Sequence, residues 1–397
     1  MKITILGDIM CEPCVLKAAK QKDGSYDFSG LFTQVKPLLA ESDYVISNLE
    51  FPLAGEENGG YTNTYFVFNA PDSFATATKE AGVDLISTIN NHTLDRGPAG
   101  MLRTLEALDA AGLPHTGSFD PKKGREEAYY FELDGVKFAV VAYTYTTNKK
   151  IPEDHELHAM MNLLRPLKDP TYTPEVSKQM NTWVDRVFKK LKGEYKCTIR
   201  KLMGLPNTLP RADDYVDEAS AAPYIAQMQS DIRAAKEKAE FVIFYPHVGG
   251  QFNPKPGKFS QFVVEKALEA GADAILASHS HMVQKAEIVD GVPCAWSLGN
   301  FSMSASSPIV AKQMLPGYGM AMHLYLEGAK VVRTTFTVLK AVEKKGQQMV
   351  SWPVDKLYDT LSAKEKAALE ADMKQVLAWI YDGSYDGPII QKEYEVK

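Results

Sequence analysis

His279-Ser280-His281 closes the apolar run Ala274-Ile275-Leu276-Ala277, and alternate residues of an extended strand point the same way. The spacing predicts two imidazoles aimed at one spot. Three more apolar runs end in metal-competent side chains: residues 3–6 lead to Gly7-Asp8, 44–47 to Asn48-Leu49-Glu50, and 241–245 to Pro246-His247. A fourth, residues 85–89, runs into Asn90-Asn91-His92. Carboxylate, amide oxygen and imidazole make up the donor set of hard and borderline divalent cations, and strand ends are where a rigid sheet can fix such ligands. Asp8 and Glu50 bring two negative charges, His247, His279 and His281 three imidazoles, and Asn91 a neutral oxygen. Two divalent cations against two carboxylates leave a local charge of about +2, which would attract an anionic substrate and acidify a bridging water. That combination suits hydrolysis of a phosphate ester. His92 beside such a centre can protonate a leaving oxygen, and Asp95 can orient its other ring nitrogen. Taken alone, Asn90-Asn91-His92 reads equally as a polar turn ahead of Pro98.

The elements that must position these residues alternate. Strands are expected at 3–6, 44–47, 85–88 and 137–142, with a helix at 99–111 ended by Gly112, a rhythm that argues for an α/β fold. Residues 128–133 and 137–141 flank Asp134-Gly135, a strong hairpin signal. From about 149 to 211 the rhythm is broken by Pro152, Pro166, Pro170, Pro174, Pro206 and Pro210 in a mostly helical stretch, read as an insertion. Within it, 177–191 has a core-facing helical stripe through Trp183, Val184, Val187, Phe188 and Leu191. Its basic residues Lys189, Lys190, Lys192, Arg200 and Lys201 form either a solvated face or a lid over an anion. The rhythm resumes with helix 223–239, strand 241–245, helix 262–270, strand 274–277, a hairpin through 286–289 and 293–296 turned at Asp290-Gly291, and strand 331–339. A helical C-terminal extension spans about 353–397. The whole of 1–397 is read as one domain with the insertion inside it.

Composition narrows the function classes. A net charge of -6 gives no support to nucleic-acid binding, and no apolar stretch approaches the roughly 18 residues needed to span a bilayer. As given, the chain reads as cytoplasmic; an N-terminal anchor ahead of Met1 would make it cell-surface or membrane-associated. The four cysteines are too few for a disulfide scaffold. Cys11-Glu12-Pro13-Cys14 has the spacing of a redox pair at a helix start, though coincidence and a thiol near the metal site are alternatives.

In order and spacing, Gly7-Asp8, Ser47-Asn48-Leu49-Glu50, Asn90-Asn91-His92-Thr93-Leu94-Asp95-Arg96-Gly97, His247-Val248-Gly249, Gly271-Ala272-Asp273, His279-Ser280-His281 and Ser297-Leu298-Gly299-Asn300-Phe301 resemble the bacterial capsule-synthesis CapA family, the poly-γ-glutamate synthesis proteins. The resemblance covers about residues 1–145 and 215–305. It implies a calcineurin-like metallophosphatase fold, a four-layer α-β-β-α sandwich with a helical insertion, and one or two divalent metal ions, with Mn, Fe or Zn suiting the donors. Carried over, it makes Asp8 and His281 ligands of one metal and Asn91, His247 and His279 ligands of the other, with Glu50 bridging and His92 as the acid. Two departures stand out. Asp8-Ile9-Met10 replaces the usual Asp-x-His, which leaves the first metal a single imidazole, and His247-Val248-Gly249-Gly250-Gln251 replaces His-Trp-Gly-x-Glu.

The expected function is a metal-dependent phosphoesterase-like hydrolase acting on an anionic small molecule or acidic polymer. Two alternatives stand beside it: a non-catalytic polymer-binding component of capsule or poly-γ-glutamate synthesis or export, working with capsule-synthesis membrane partners, and a γ-glutamyl amide hydrolase or transferase.

Overall fold

The computed structural model describes residues 1–167, 216–305, 312–344 and 347–397, together with residues 212–214, Val187, Leu191, Ile199, Leu202, Met203 and Ser307. Fourteen strands among these residues build two sheets. The first sheet contains β1 (Lys2–Ile9), β2 (Tyr44–Leu49), β3 (Leu85–Ser87) and β4 (His115–Thr116), and the second begins with β5 (Tyr129–Leu133), β6 (Val136–Thr144), β7 (Phe241–His247) and β8 (Ala274–Leu276). The second is completed by β9 (Ala286–Val289) and β10 (Val292–Ala295), the first by β11 (Tyr318–Glu327), β12 (Lys330–Val342), β13 (Val350–Pro353) and β14 (Tyr394–Glu395). The first sheet runs β13-β12-β11-β1-β2-β3-β4 with β14 beside β12, and the second β5-β6-β7-β8-β10-β9.

Strands β1 through β4 are parallel, as are β6, β7, β8 and β10. Such strands need helical crossovers, and helices then cover the sheet. The helices Pro13–Ala19, Ser73–Glu80 and Gly97–Ala110 put Val15, Phe74 and Leu108 into one cluster with Leu6 and Val45. Helices Glu218–Lys238 and Lys258–Ala270 pack Ile232 and Val263 on Val242 and Phe244 of the second sheet. Between the sheets, Ile3, Ile5 and Ile46 meet Val140, Ile243 and Leu276 in a third cluster. The layers are therefore α-β-β-α, as the sequence led us to expect.

The two Asp-Gly turns are as expected: Asp134 and Gly135 have φ of 49° and 78°, Asp290 and Gly291 51° and 85°, the paired positive values of a type I′ hairpin. Four strands escaped the sequence pattern: the short β4, β13 and β14, and the long β11. β11 lies beside β1 at the centre of the first sheet and is buried along most of its length, so no polar alternation marks it. The expected insertion falls largely outside the described residues, including the helix at 177–191 apart from Val187 and Leu191, and so do the basic residues assigned to a lid. Its described beginning bridges Met161 to Ser118 and Leu163 to Thr144, which lays it along the end of β6. C-terminally, helices Val354–Asp359 and Ala363–Ile380 precede β14. No helix among the described residues is long and apolar enough to cross a membrane.

Candidate metal centre

The carboxyl ends of parallel strands are where open α/β sheets place their ligands, because the loops there fan out from a fixed edge. Asp8 lies near the end of β1, Glu50 directly after β2, Asn91 and His92 after β3, and His247 closes β7. His279 and His281 follow β8, but not as strand residues. The strand stops at Leu276, and both histidines sit in a loop with φ of 105° and 53°. Strand pleating therefore does not produce their convergence: loop backbone in the left-handed region, costly for residues with a Cβ, aims the rings instead. Close approach at the edge also needs Gly7, where an added Cβ would lie 2.1 Å from the Gly299 carbonyl oxygen.

All these side chains converge although they span most of the chain. Donor atoms of Glu50, His247 and His279 lie within 4.8 Å of one another, and so do those of Asp8, Glu50 and His281. Glu50 is common to both groups. His247 Nε2 is 2.7 Å from Asn91 Oδ1, 3.0 Å from His279 Nδ1 and 3.5 Å from Glu50 Oε1, so four residues face one point. His281 Nε2 stands 3.6 Å from Glu50 Oε1. The grouping coincides with the two ligand sets the family resemblance implies.

Neighbouring amides fix which ring atoms face the cavity. Asn300 Nδ2 donates to the carbonyls of His281 and Pro316, so its Oδ1 accepts from His281 Nδ1 at 2.9 Å and leaves Nε2 with a bare lone pair. Asn90 Nδ2 donates to Asn48 Oδ1, which turns Asn48 Nδ2 toward Asp8 Oδ1 at 2.7 Å. The second Asp8 oxygen accepts from the His279 backbone N–H. Ser278 Oγ holds His247 Nδ1 at 3.0 Å. Asn48, Asn90 and Asn300 stood inside the motifs read from the sequence but carried no role there; Ser278 carried no signal at all.

Burial acts on Asp8 to raise its pKa, yet His247 and His281, with the bonds from His247 and Asn48, outweigh it and hold the carboxyl at about 2. For Glu50 the balance goes the other way: burial first and the charge of Asp8 second push it up to about 8, outweighing the opposing pull of His281 and His92. Neither Glu50 oxygen has a hydrogen-bond partner. Burial, then the charges of His247 and His281, hold His279 well below its ordinary value, which keeps it the neutral imidazole a cation binds. A buried, unpartnered carboxylate between converging imidazoles is the environment a dication satisfies, and the donors fit one or two such ions.

His92 Nδ1 lies 2.6 Å from Asp95 Oδ2, which also accepts the Phe68 N–H. The carboxylate can only accept, so Nδ1 donates and Nε2 is left for the cleft. The Phe68 ring packs on His92 with centroids 4.5 Å apart, and the Tyr145 ring lies 4.6 Å from His279. Arg165 spreads its guanidinium over Tyr145 at 4.9 Å and donates to the Tyr145 carbonyl, bringing a positive charge beside the centre.

No cysteine joins either donor group among the described residues. Burial pushes the Cys11 thiol well up and Cys14 to about 11, the opposite of what a reactive redox pair requires. Met10 is buried in the cluster beneath the outer helices of the first sheet.

Set against known proteins, the chain is 23% identical over 305 residues to the "Capsule biosynthesis protein CapA" of Bacillus anthracis, covering 76% of this chain and 59% of that protein. It is 22% identical over 302 residues to the "PGA biosynthesis protein CapA" of Bacillus subtilis (strain 168), covering 76% and 63%. The chain thus spans about three-fifths of the length of these curated relatives. Among solved structures, a hypothetical protein from Thermus thermophilus superposes with a TM-score of 0.45 at 15% identity, covering 86% of this chain and 99% of that one. The profile described as "Bacterial capsule synthesis protein PGA_cap" matches residues 2–305, and the chain, carrying its converging acidic and histidine side chains inside that span, belongs to this family.

Proposed function

We propose that the protein is a metal-dependent hydrolase of phosphoesterase type acting on an anionic substrate in capsule or poly-γ-glutamate biosynthesis. The observation that carries this reading is Glu50, fully buried, shared by two donor groups and lacking a hydrogen bond at either oxygen. Asn91, His247, His279 and Glu50 would hold one divalent ion, and Asp8, His281 and Glu50 the other; the imidazole and carboxylate donors suit Mn, Fe or Zn. Bound there, such ions supply Lewis acidity toward the scissile group and toward water. The chain's own residues do the rest. Asp8 and Glu50 carry fewer negative charges than two dications carry positive ones, so the loaded cleft attracts anions, and Arg165 adds to that field. His92, its Nδ1 held by Asp95, presents Nε2 to protonate a departing oxygen, and Phe68 shields the ring from water.

A second reading draws on the family name and its curated relatives: a component that binds an acidic polymer without turning over a phosphate ester. Elemental analysis of the purified protein, followed by assay of the manganese-loaded chain on p-nitrophenyl phosphate, bis(p-nitrophenyl) phosphate and a γ-glutamyl peptide, separates the readings. Metal-dependent release of p-nitrophenol lost in His92→Ala supports the phosphoesterase. Cleavage of the γ-glutamyl peptide alone assigns amide chemistry, and tight poly-γ-glutamate binding with no turnover assigns the polymer-binding role.

A further inference from the structure

Asn148 comes just past the end of β6, on the opposite sheet from the strand that delivers Asn91 and His92. Its backbone N–H donates to the Asn91 carbonyl at 2.6 Å, and its Oδ1 accepts from Asn91 Nδ2 at 3.4 Å, which makes Nδ2 the end that faces His92. Asn148 is exposed, whereas His92 beside it is only 5% exposed. The amide therefore stands at the mouth of the cleft with the acid behind it.

The distances settle how the two groups meet. Asn148 Nδ2 is 3.4 Å from His92 Nδ1 and 3.5 Å from Nε2. A position in the ring plane so nearly equidistant from both would collide with Cε1, so the amide nitrogen lies over the face of the imidazole. The in-plane hydrogen-bonding directions of both His92 ring nitrogens are thus untouched by Asn148, and the contact is at most an N–H directed at the ring. An amide nitrogen carries two N–H groups in one plane, and only one can point at that face. The other has no partner among the described residues and belongs to an exposed side chain beside His92.

We propose that Asn148 is a substrate-contacting residue, its outward N–H donating to an oxygen of the anionic group whose leaving oxygen His92 protonates. The assignment rests on the hydrolase reading above and adds to it a neutral donor, delivered by the second sheet, that binds the anion's acid side. Because the same residue grips the Asn91 backbone, the donor and the ligand segment hold one register.

Manganese and inorganic phosphate are the probes, each titrated calorimetrically into the full chain and its Asn148→Ala and Asn148→Asp variants. Manganese affinity should stay within about twofold in all three, while phosphate binding to the loaded protein weakens about tenfold in Asn148→Ala, the loss expected for one hydrogen bond to a charged group, and further in Asn148→Asp, where a carboxylate faces the anion. Equal phosphate affinity in the parent and both variants overturns the assignment. So does a loss of manganese binding that accounts for all the loss of phosphate, since Asn148 would then only brace Asn91. A parent that holds manganese but no phosphate instead overturns the hydrolase reading and this assignment together.

Discussion

Replacing Glu50 with Gln should make the metal-free protein more stable and abolish the further stabilisation that divalent metal gives the parent. In the metal-free fold the Glu50 carboxyl is buried, unpartnered and pushed up to about 8 by burial and by Asp8, against an ordinary 4.5. The unfolded chain ionises this group near 4.5 while the fold keeps it neutral, so the folded state binds more protons and stability falls as pH rises from 4.5 to 8, then levels off. Each tenfold step in proton affinity corresponds to about 1.4 kcal/mol, so the cost to the metal-free fold is roughly 3 kcal/mol at pH 7 and roughly 5 kcal/mol above pH 8. Glutamine is nearly isosteric, and its amide is as poorly partnered as the neutral acid, so those costs cancel and the titration cost disappears. Thermal melts in chelator at pH 8 should therefore place Glu50→Gln several degrees above the parent. Divalent metal at about a hundred times its dissociation constant adds roughly 2.7 kcal/mol to whatever binds it. The parent should rise on adding manganese and the variant should not. A variant that melts below the parent in chelator, or that gains as much from manganese as the parent does, would refute the reasoning.

His247→Ala removes the ring whose Nε2 lies nearest Asn91 and His279; elemental analysis should show at least one equivalent of metal lost, and unchanged content would dismantle the proposed centre. Gly7→Ala places a Cβ 2.1 Å from a backbone oxygen that cannot swing away, and a loss on the order of 3 kcal/mol is expected by denaturant titration; a midpoint equal to the parent's would show the β1 edge to be pliable. Glu12 is buried, with one oxygen unpartnered, and burial pushes its carboxyl up to about 7. Its folded value exceeds its unfolded one, so it erodes stability as pH climbs from 4.5 to 7, and Glu12→Gln should gain roughly 3 kcal/mol over the parent at pH 8 but little at pH 5. A pH-independent difference in urea melts would argue against it.

The apolar runs and the polar residues that end them determined much of this protein. Strands that must be buried on both faces read as continuous Ile, Val and Leu, and the residues that follow Leu6, Ser47, Ile89 and Tyr245 include Asp8, Glu50, Asn91 and His247, because the chain changes character where the sheet stops. The Asp-Gly turns were legible for a similar reason: few residues accept two successive positive φ values. What the sequence could not decide is relational. His279 and His281 carry the right spacing, yet loop backbone with positive φ aims them, and no local pattern encodes that. β11, buried on both faces beside β1, left no alternation to read. The amides of Asn48, Asn148 and Asn300 acquire their orientations from partners 16 to 57 residues away in the chain, as Asn300 does from the Pro316 carbonyl, Asn48 from Asn90 and Asn148 from Asn91. Hydrogen-bond direction is a property of a completed three-dimensional network, so only the packed pair of sheets could settle which ring nitrogen faces the metal cavity and which neighbour holds it there.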